Sequence, residues 1–309
     1  MPLPAALQGR LSVPAIAAPM FLVSGPDLVI ETCKAGVLGT FPTLNQRTTE
    51  GYAEWLAQIR EALDAVPGAA PFGVNIIVNR SNARVEPDLK ATVEAKVPLV
   101  ITSLGANAEV VQAVHSYGGL VFHDVINMRH AEKAVEAGVD GIIAVCAGAG
   151  GHGGTYNPFA FLAELRAAFP HITLAQSGAI TNGRQIAAAR LLGADLAYIG
   201  TRFIATRESM AVDAYKRMVV EASGAKDIVY TPAFSGVHGN YLRPSIIAAG
   251  LDPDNLPPKP EGGYSRERRK AWRDIWSGGQ GVGSINDIPT VAELCERLRR
   301  EYREAASLL

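Results

Sequence analysis

Cysteine, charge and long apolar runs are all scarce in this chain. Its 309 residues include three cysteines, Cys33, Cys146 and Cys295, and their odd number and wide spacing argue against a disulfide framework and a zinc site. Charged residues make up 19% and leave a formal net charge of -1, which gives no reason to expect nucleic acid or an anionic membrane as a partner. No apolar run is long enough to span a bilayer, and no basic segment followed by an apolar one begins the chain. We therefore expect a soluble, cytoplasmic protein.

Apolar residues, by contrast, make up 48% of the chain, enough to bury a sizeable core. Eight short apolar runs are typical of strands buried on both faces, at residues 14–18, 36–40, 72–77, 99–103, 120–123, 141–145, 172–176 and 196–200. Segments with helical periodicity follow them, at residues 28–35, 52–65, 88–96, 108–117, 128–137, 158–169, 183–192 and 203–222. Eight successive βα units predict an α/β fold, a closed (β/α)8 TIM barrel.

Several of these helices carry recognisable boundaries. Asn157 followed by Pro158 is typical of a helix start, and Asn182 is placed to begin the next helix. Gly118, Gly138 and Gly193 stand where three helices should end. The boundaries support the division into βα units.

The pattern changes near residue 222, after which prolines, glycines and charges are frequent up to residue 287. We interpret 223–287 as a small C-terminal lid or substrate domain. The barrel would then comprise 1–222 together with a returning helix in 288–309. A basic stretch at 265–276 predicts a solvated helix face, with phosphate recognition as the alternative. Its basic residues are Arg266, Arg268, Arg269, Lys270 and Arg273.

One loop stands out for chemistry. In Gly148-Ala149-Gly150-Gly151-His152-Gly153-Gly154, five glycines surround one histidine directly after the strand at 141–145. Glycine lets the backbone approach a ligand closely, and imidazole transfers protons near neutral pH. We predict that His152 is catalytic; the alternative is a structural loop histidine. The loop also satisfies the G-x-G-x-x-G string of dinucleotide folds, but the next strand ends in Gln176-Ser177 and not in an acidic residue, so that interpretation fails.

The other strand ends supply a binding site. In a TIM barrel, ligands bind at the carboxyl ends of the strands, and phosphates bind on the loops after strands seven and eight. Those loops here are Ser177-Gly178 and Gly200-Thr201, each with backbone N–H groups, a hydroxyl and a following helix N-terminus. Asn75 ends the third strand with an amide, and the small and soft residues Ala18, Pro19 and Met20 end the first. Such a surface suits packing against a flat aromatic ring.

In this order and spacing, the motifs resemble the nitronate monooxygenases, formerly called 2-nitropropane dioxygenases. The resemblance covers nearly the whole chain and includes the superfamily's NADH:quinone reductases and flavin-type enoyl-ACP reductases. It is carried by residues 71–75, by the loop with His152, by Gln176-Ser177-Gly178, by residues 200–203, and by residues 276–283, similar to a late family segment with a Gly-Gln pair.

The resemblance implies that the barrel holds non-covalent FMN. The phosphate would lie at Ser177-Gly178 and Gly200-Thr201, and His152 would stand near the reactive nitrogen of the flavin, as base toward nitroalkanes or as the group that orients nitronates. The ring and its surroundings would be bound by Ala18, Pro19, Met20, Asn75, His123, Gly150, Gly151, Gln176 and Gln280. The partners implied are a nitronate or nitroalkane and dioxygen, with NAD(P)H and a homodimer left open.

Two positions depart from the family pattern. The family often has a glutamate where this chain has Gly148, and the classical nitronate enzymes tend to have a lysine where this chain has Asp124. A lysine beside the flavin would stabilise the negative charge of the reduced ring, and an aspartate would do the reverse. At about 4 Å and an effective dielectric near 20, one such pair is worth roughly 4 kcal/mol. We therefore expect that Asp124 points away from the ring, or that His123 supplies a positive partner. His123 also has a purely structural interpretation as a buried barrel residue.

Three functions follow as hypotheses. The first is an FMN-dependent nitronate monooxygenase that uses dioxygen. The second is an NAD(P)H-dependent flavin reductase acting on a quinone or an enoyl thioester, which needs a nicotinamide platform in the segment 223–287. The third is a non-catalytic barrel that binds a phosphate ligand, against which a titratable His152 at the reactive edge argues.

Overall fold

The predicted barrel is confirmed. The structure is a computed structural model that describes residues 3–79, 81–256 and 273–308. Eight parallel strands close into a barrel in the order in which they occur in the chain, and the last pairs back onto the first. Its strands are β1 (Ala15–Ala17), β2 (Leu38–Pro42), β3 (Gly73–Ile77), β4 (Leu99–Ser103), β5 (Leu120–Val125), β6 (Gly141–Val145), β8 (Thr173–Ser177) and β9 (Leu196–Ile199).

Helices follow the strands around the outside of the barrel. They are α1 (Pro26–Lys34), α2 (Thr49–Asp64), α3 (Val85–Glu94), α4 (Ala108–His115), α5 (Met128–Glu136), α6 (Pro158–Ala168), α7 (Gly183–Leu191), α8 (Thr201–Ile204), α9 (Asp213–Glu221), α10 (Arg243–Ala248) and α11 (Val291–Ala306). None of the described helices is both long enough and apolar enough to cross a membrane.

The caps explain where these helices begin and end. Asn157 and Asn182 accept backbone N–H groups of the first turns of α6 and α7, as predicted. Gly118, Gly138 and Gly193 follow helices with φ of +83°, +89° and +101°, a left-handed conformation that glycine adopts without a steric cost. The sequence thus encodes both ends of these βα units.

The prediction of one helix over 203–222 was wrong, because the chain forms α8 and α9 with a turn between them. The hydroxyl of Thr206 donates to the carbonyl of Phe203 at 2.8 Å, and that of Ser209 to the carbonyl of Ile204 at 2.7 Å. Hydroxyl groups that take the last carbonyls of a helix compete with its continuation.

Two apolar layers place the strand side chains. One cluster fills the barrel interior and includes Ile16, Leu99, Phe122 and Ile143. The larger cluster lies between the strands and the surrounding helices. Side chains alternate between these two layers along each strand. Strand parity, meaning whether a residue stands at an inward or an outward position of this alternation, therefore decides whether its side chain can face a ligand at the open end of the barrel.

A small sheet forms beside the barrel. β10 (Ile228–Thr231) pairs antiparallel with β11 (Gly239–Leu242), which pairs antiparallel with β7 (Gly151–His152). The segment expected to form a lid therefore hydrogen-bonds directly to the glycine-rich loop. Most of the basic stretch at 265–276 lies outside the described residues; Arg273 pairs with Asp274 at 2.8 Å on the surface. The domain boundary at residue 223 stays a prediction.

Candidate active site

A cavity of about 420 Å³ opens at the carboxyl ends of the barrel strands. Its volume lies in the range typical of cofactor sites. Most of the residues predicted to bind the cofactor or substrate line it, namely Ala18, Pro19, Met20, Asn75, Gly150, Gly151, His152, Ser177, Gly178, Gly200 and Thr201. The fold thus brings together residues from β1, β3, β8 and β9 and from the glycine-rich loop.

Three predicted residues do not line the cavity. His123 is buried on the helix side of β5, where its Nδ1 lies 2.7 Å from the hydroxyl of Thr102. Gln176 is buried beside the inward-facing Ser177, and its Oε1 has no hydrogen-bond partner. Gln280 packs over the glycine-rich loop, where its backbone N–H donates to the carbonyl of Gly148 at 2.9 Å. Strand parity explains the first two positions, since both lie next to a residue that faces inward.

The floor of the cavity is a polar chain across three neighbouring strands. The Nδ2 of Asn75 donates to the hydroxyl of Ser103 at 2.8 Å and to the carbonyl of Ile101 at 3.1 Å. The hydroxyl of Ser103 donates in turn to Oδ2 of Asp124 at 2.6 Å. The other carboxylate oxygen of Asp124, Oδ1, is buried and has no hydrogen-bond partner.

This geometry corrects the expectation about Asp124. The carboxylate lines the cavity and does not point away from it. His123 does not supply a positive partner, because its ring lies on the opposite face of β5 and burial lowers its pKa to about 4. Both explanations offered for this departure from the family pattern were therefore wrong.

The charge of Asp124 is poorly compensated. Burial raises its pKa to about 6, against the opposing effect of the Ser103 hydrogen bond. The cavity's other titratable groups are His152, Tyr198 and Tyr215, and none of the described lining residues is lysine or arginine. Tyr198 faces the same interior, and its pKa is raised well above 10 by burial and then by the Asp124 charge.

The glycine-rich loop is locked against the late segment of the chain. A Cβ at Gly150 would lie 2.9 Å from both the backbone nitrogen of Gly279 and the hydroxyl of Thr201, and real Cβ atoms do not approach so closely. Gly148 has a φ of +86°, and a Cβ there would lie 3.0 Å from Oε1 of Gln280. The glutamate common in the family would therefore be strained here, because residues with a Cβ rarely adopt this φ and because the side chain of Gln280 would have to shift.

His152 stands at the mouth of the cavity, on the two-residue strand β7. Its Nε2 lies 2.9 Å from the hydroxyl of Ser235, and that hydroxyl donates its proton to the carbonyl of Val237 at 2.9 Å. The hydroxyl of Ser235 thus bridges the ring of His152 and the backbone carbonyl of Val237, which fixes the orientation of the imidazole. The ring is exposed at the mouth, yet the surrounding protein withholds enough water to lower its pKa below 6.5. At pH 7 the imidazole is neutral.

The predicted phosphate end is a sharply bent turn. Gly178 has a φ of +124° and Ala179 a φ of +57°, and a left-handed non-glycine residue stores strain of a kind found at ligand sites. The N-terminus of α7 itself is occupied, because Asn182 caps it and the N–H of Gly183 donates to Glu301 at 2.8 Å. This helix start, expected to contribute to anion binding, is therefore not available. The hydroxyl of Thr201 accepts the N–H of Gly279 at 2.9 Å.

Sequence reasoning missed the residues that hold the site in place. Asn240 donates from Nδ2 to the carbonyl of Ala149 at 2.6 Å, and Ser235 anchors His152. Ser103 links Asn75 to Asp124. Only Ser103 carried a usable signal, because it ends a predicted strand at the same edge of the barrel as Asn75.

The chain is similar to known proteins over nearly its whole length. The family model described as nitronate monooxygenase matches residues 9–249. A nitronate monooxygenase of Paraburkholderia phytofirmans is 28% identical, with 96% of this chain and 94% of that protein covered. The nitroalkane oxidase of Streptomyces ansochromogenes has a TM-score of 0.84 at 25% identity, with 99% and 100% covered. FabK of Thermotoga maritima has a TM-score of 0.80 at 24% identity, with 97% and 96% covered, a likeness of fold alone.

Proposed function

The chain belongs to the nitronate monooxygenase family of FMN-dependent oxidoreductases, and from this premise we propose that it oxidises alkyl nitronates with dioxygen as the electron acceptor. In this proposal His152 acts at the mouth of the cavity, as a base toward neutral nitroalkanes and as an orienting group toward nitronates. The observation that carries it is the neutral, anchored imidazole of His152 at the open end of a glycine-lined cavity.

The residues present fit FMN. Ala18 is buried, Pro19 and Met20 are half-buried, and together they form an apolar surface suited to the flat ring. A Cβ built on Gly200 would lie 3.7 Å from Cβ of Ala18 and Sδ of Met20, so a methyl group there would pack in van der Waals contact against the apolar surface proposed for the ring. At the floor, the unpartnered Oδ1 of Asp124 is a buried polar atom that a polar ring edge would satisfy. The phosphate would be held by the turn at Ser177-Gly178 and by Gly200-Thr201.

When bound, FMN supplies the redox chemistry, taking electrons from the substrate and passing them to dioxygen. His152 supplies proton chemistry. Held in orientation by Ser235, the neutral ring takes up a proton, as deprotonation of the carbon beside a nitro group requires. A nitronate has already lost that proton, so His152 then only donates a hydrogen bond or positions the anion. The glycine loop and the small sheet narrow access to the cavity from solvent.

A second candidate, an NAD(P)H-dependent flavin reductase, is favoured by one feature of the cavity wall. Tyr215 lines the cavity, and Trp276 stacks on it with ring centroids 5.0 Å apart and planes 11° from parallel. Stacked aromatic rings are a suitable surface for a flat nicotinamide. The hydroxyl of Tyr215 donates to the carbonyl of Ser277 at 2.7 Å, which fixes this ring in position.

Steady-state assays distinguish the two functions. The FMN-loaded protein is supplied with propionate 3-nitronate while dioxygen uptake is recorded, and separately with NADH or NADPH and a quinone. The proposal predicts dioxygen uptake that depends on the nitronate and needs no nicotinamide. Oxidation of NADH or NADPH by the quinone, without turnover of the nitronate, would replace it with the reductase function.

A further inference from the structure

Asp124 is a half-buried residue with a buried carboxyl oxygen, Oδ1, that the proposed reaction does not use. It lines the cavity, Ser103 donates to its Oδ2 at 2.6 Å, and its Oδ1 has no hydrogen-bond partner. Asn75 fixes the orientation of Ser103 through its own 2.8 Å hydrogen bond. The carboxyl is therefore held rigidly at the floor of the site, with hydrogen-bonding capacity left at Oδ1.

The groups that face Asp124 carry no compensating charge. Ser103 comes from β4, Asn75 from β3 and Tyr198 from β9, and all three are neutral at pH 7. On β5 itself, His123 faces the helix layer and is neutral. Across the cavity, His152 is neutral at pH 7 and is engaged with Ser235 at the mouth.

Reduction of a bound flavin would add a negative charge to the cavity that already holds the Asp124 carboxylate. A reduced flavin carries a negative charge on its pyrimidine portion at neutral pH, and the described lining offers no lysine or arginine to balance it. Two like charges in a poorly solvated site raise each other's proton affinity, so one of them takes up a proton. The carboxylate is the group that can take up that proton, because Oδ1 has a second lone pair beside the one that a polar ring edge would use.

We propose that Asp124 takes up a proton when the flavin is reduced and so couples electron transfer to the protonation of the cavity floor. The reductant supplies two electrons to the ring, and a proton from a solvent hydronium ion, whose O–H bond breaks to leave water, forms an O–H bond at Oδ1 of Asp124. This proton is additional to the one the ring itself takes up. The inference rests on flavin binding and not on nitronates being the substrate.

The test is the midpoint potential of the bound flavin between about pH 5.5 and 9, for the wild type and Asp124→Asn, with dithionite as reductant. In the wild type the pKa of Asp124 is higher when the flavin is reduced, and between its two pKa values reduction takes up one extra proton. For a two-electron couple each proton adds a slope of about 30 mV per pH unit, the potential equivalent of a tenfold change. Above about pH 6, the plot of midpoint potential against pH should thus be steeper by that amount for the wild type than for Asp124→Asn. The two lines should converge at lower pH, where Asp124 is protonated in both states.

Three comparisons complete the test. Infrared difference spectra of reduction should show the carbonyl band of a protonated carboxyl in the wild type and not in Asp124→Asn. Ser103→Ala, which removes the hydrogen bond to Oδ2, should raise the pH at which the slope steepens without abolishing the extra proton; it also keeps the test open if Asp124→Asn does not fold. Glu94→Gln, an exposed charge removed from α3, should leave the wild-type line unchanged.

Parallel potential lines for the wild type and Asp124→Asn, or no carboxyl band on reduction, would overturn the inference. Failure of the wild type to bind FMN would overturn it together with the proposed function. A flavin that shows the extra proton but is not reduced by nitronates would leave this inference standing and remove the proposed function alone.

Discussion

The floor and the mouth of the cavity are built in different ways. The floor joins side chains of three consecutive strands, and its hydrogen-bonded partners are 21 to 28 residues apart in the chain. The mouth joins the glycine-rich loop to segments 83 and 91 residues later, through Ser235 and Asn240. Rigid strands can fix the electrostatics around a cofactor, while a loop held by a small sheet can vary with the substrate. We expect changes at the floor to alter the flavin, and changes at the mouth to alter proton transfer.

The largest effect is expected at the mouth. His152→Ala should lower kcat/KM for a neutral nitroalkane by about 100- to 10,000-fold, the range found when a general base is removed. The loss should be much smaller with the pre-formed nitronate, which needs no base. Both rates are measured by dioxygen uptake on the same preparation, so the nitronate serves as the internal control. Equal losses on the two substrates would show that His152 is not the base.

Two glycines offer a matched pair that separates packing from cofactor binding. Gly150→Ala places a Cβ 2.9 Å from the Gly279 backbone and should lower the free energy of unfolding by about 1–3 kcal/mol. In Gly200→Ala the new Cβ would lie 3.7 Å from its nearest neighbours, and the free energy of unfolding should stay within about 0.5 kcal/mol of the wild-type value. The same substitution should still weaken FMN binding at least about fivefold, because the methyl group occupies the cavity wall.

Thermal unfolding of the apoprotein and fluorescence titration with FMN measure the two quantities. If Gly200→Ala bound FMN as tightly as the wild type, the flavin could not lie against Gly200-Thr201.

A smaller effect is expected from the anchor of the imidazole. Ser235→Ala removes the hydrogen bond to Nε2 of His152 and should lower kcat/KM for a nitroalkane by about tenfold or less, since one such bond is worth about 1 kcal/mol. Ser116→Ala, an exposed serine between α4 and β5, is the control and should have no effect. A loss as large as that of His152→Ala would mean that Ser235 itself takes part in the chemistry.

The smallest effect concerns pH. The pKa of His152 is lowered by burial below 6.5, and the neutral ring is the active base. Activity with a nitroalkane is therefore present at higher pH and falls as the pH falls through that pKa. Between pH 7.5 and 6 the loss in kcat/KM should be less than about fourfold. A midpoint above pH 7 would show that another group, or a differently solvated His152, provides the base.

Much of the scaffold could be predicted, because the buried strands are mostly apolar runs and several of the helices that follow them begin at a recognisable cap. Because these runs are apolar throughout, they do not show which side chains point into the barrel and which point toward the helices. On β5, both faces are buried, so nothing in the sequence indicated that Asp124 faces the cavity and His123 faces the helices. The same ambiguity affected Gln176 and Ser177 on β8.

The mouth could be predicted only as a loop with one histidine. β7 is two residues long and pairs with β11, and no local pattern reveals a partner nearly ninety residues away. Ser235 and Asn240 accordingly carried no signal, although they hold His152 and Ala149 in place. Long-range pairing, and not residue type, was the missing information.

The most direct test of this account is an anaerobic mixing experiment on the FMN-loaded protein. Flavin absorbance is followed after addition of propionate 3-nitronate, and separately after addition of NADH or NADPH. The nitronate is expected to bleach the flavin, and the admission of dioxygen is expected to restore its colour. Bleaching by a nicotinamide alone would contradict the proposed function and identify the protein as a flavin reductase.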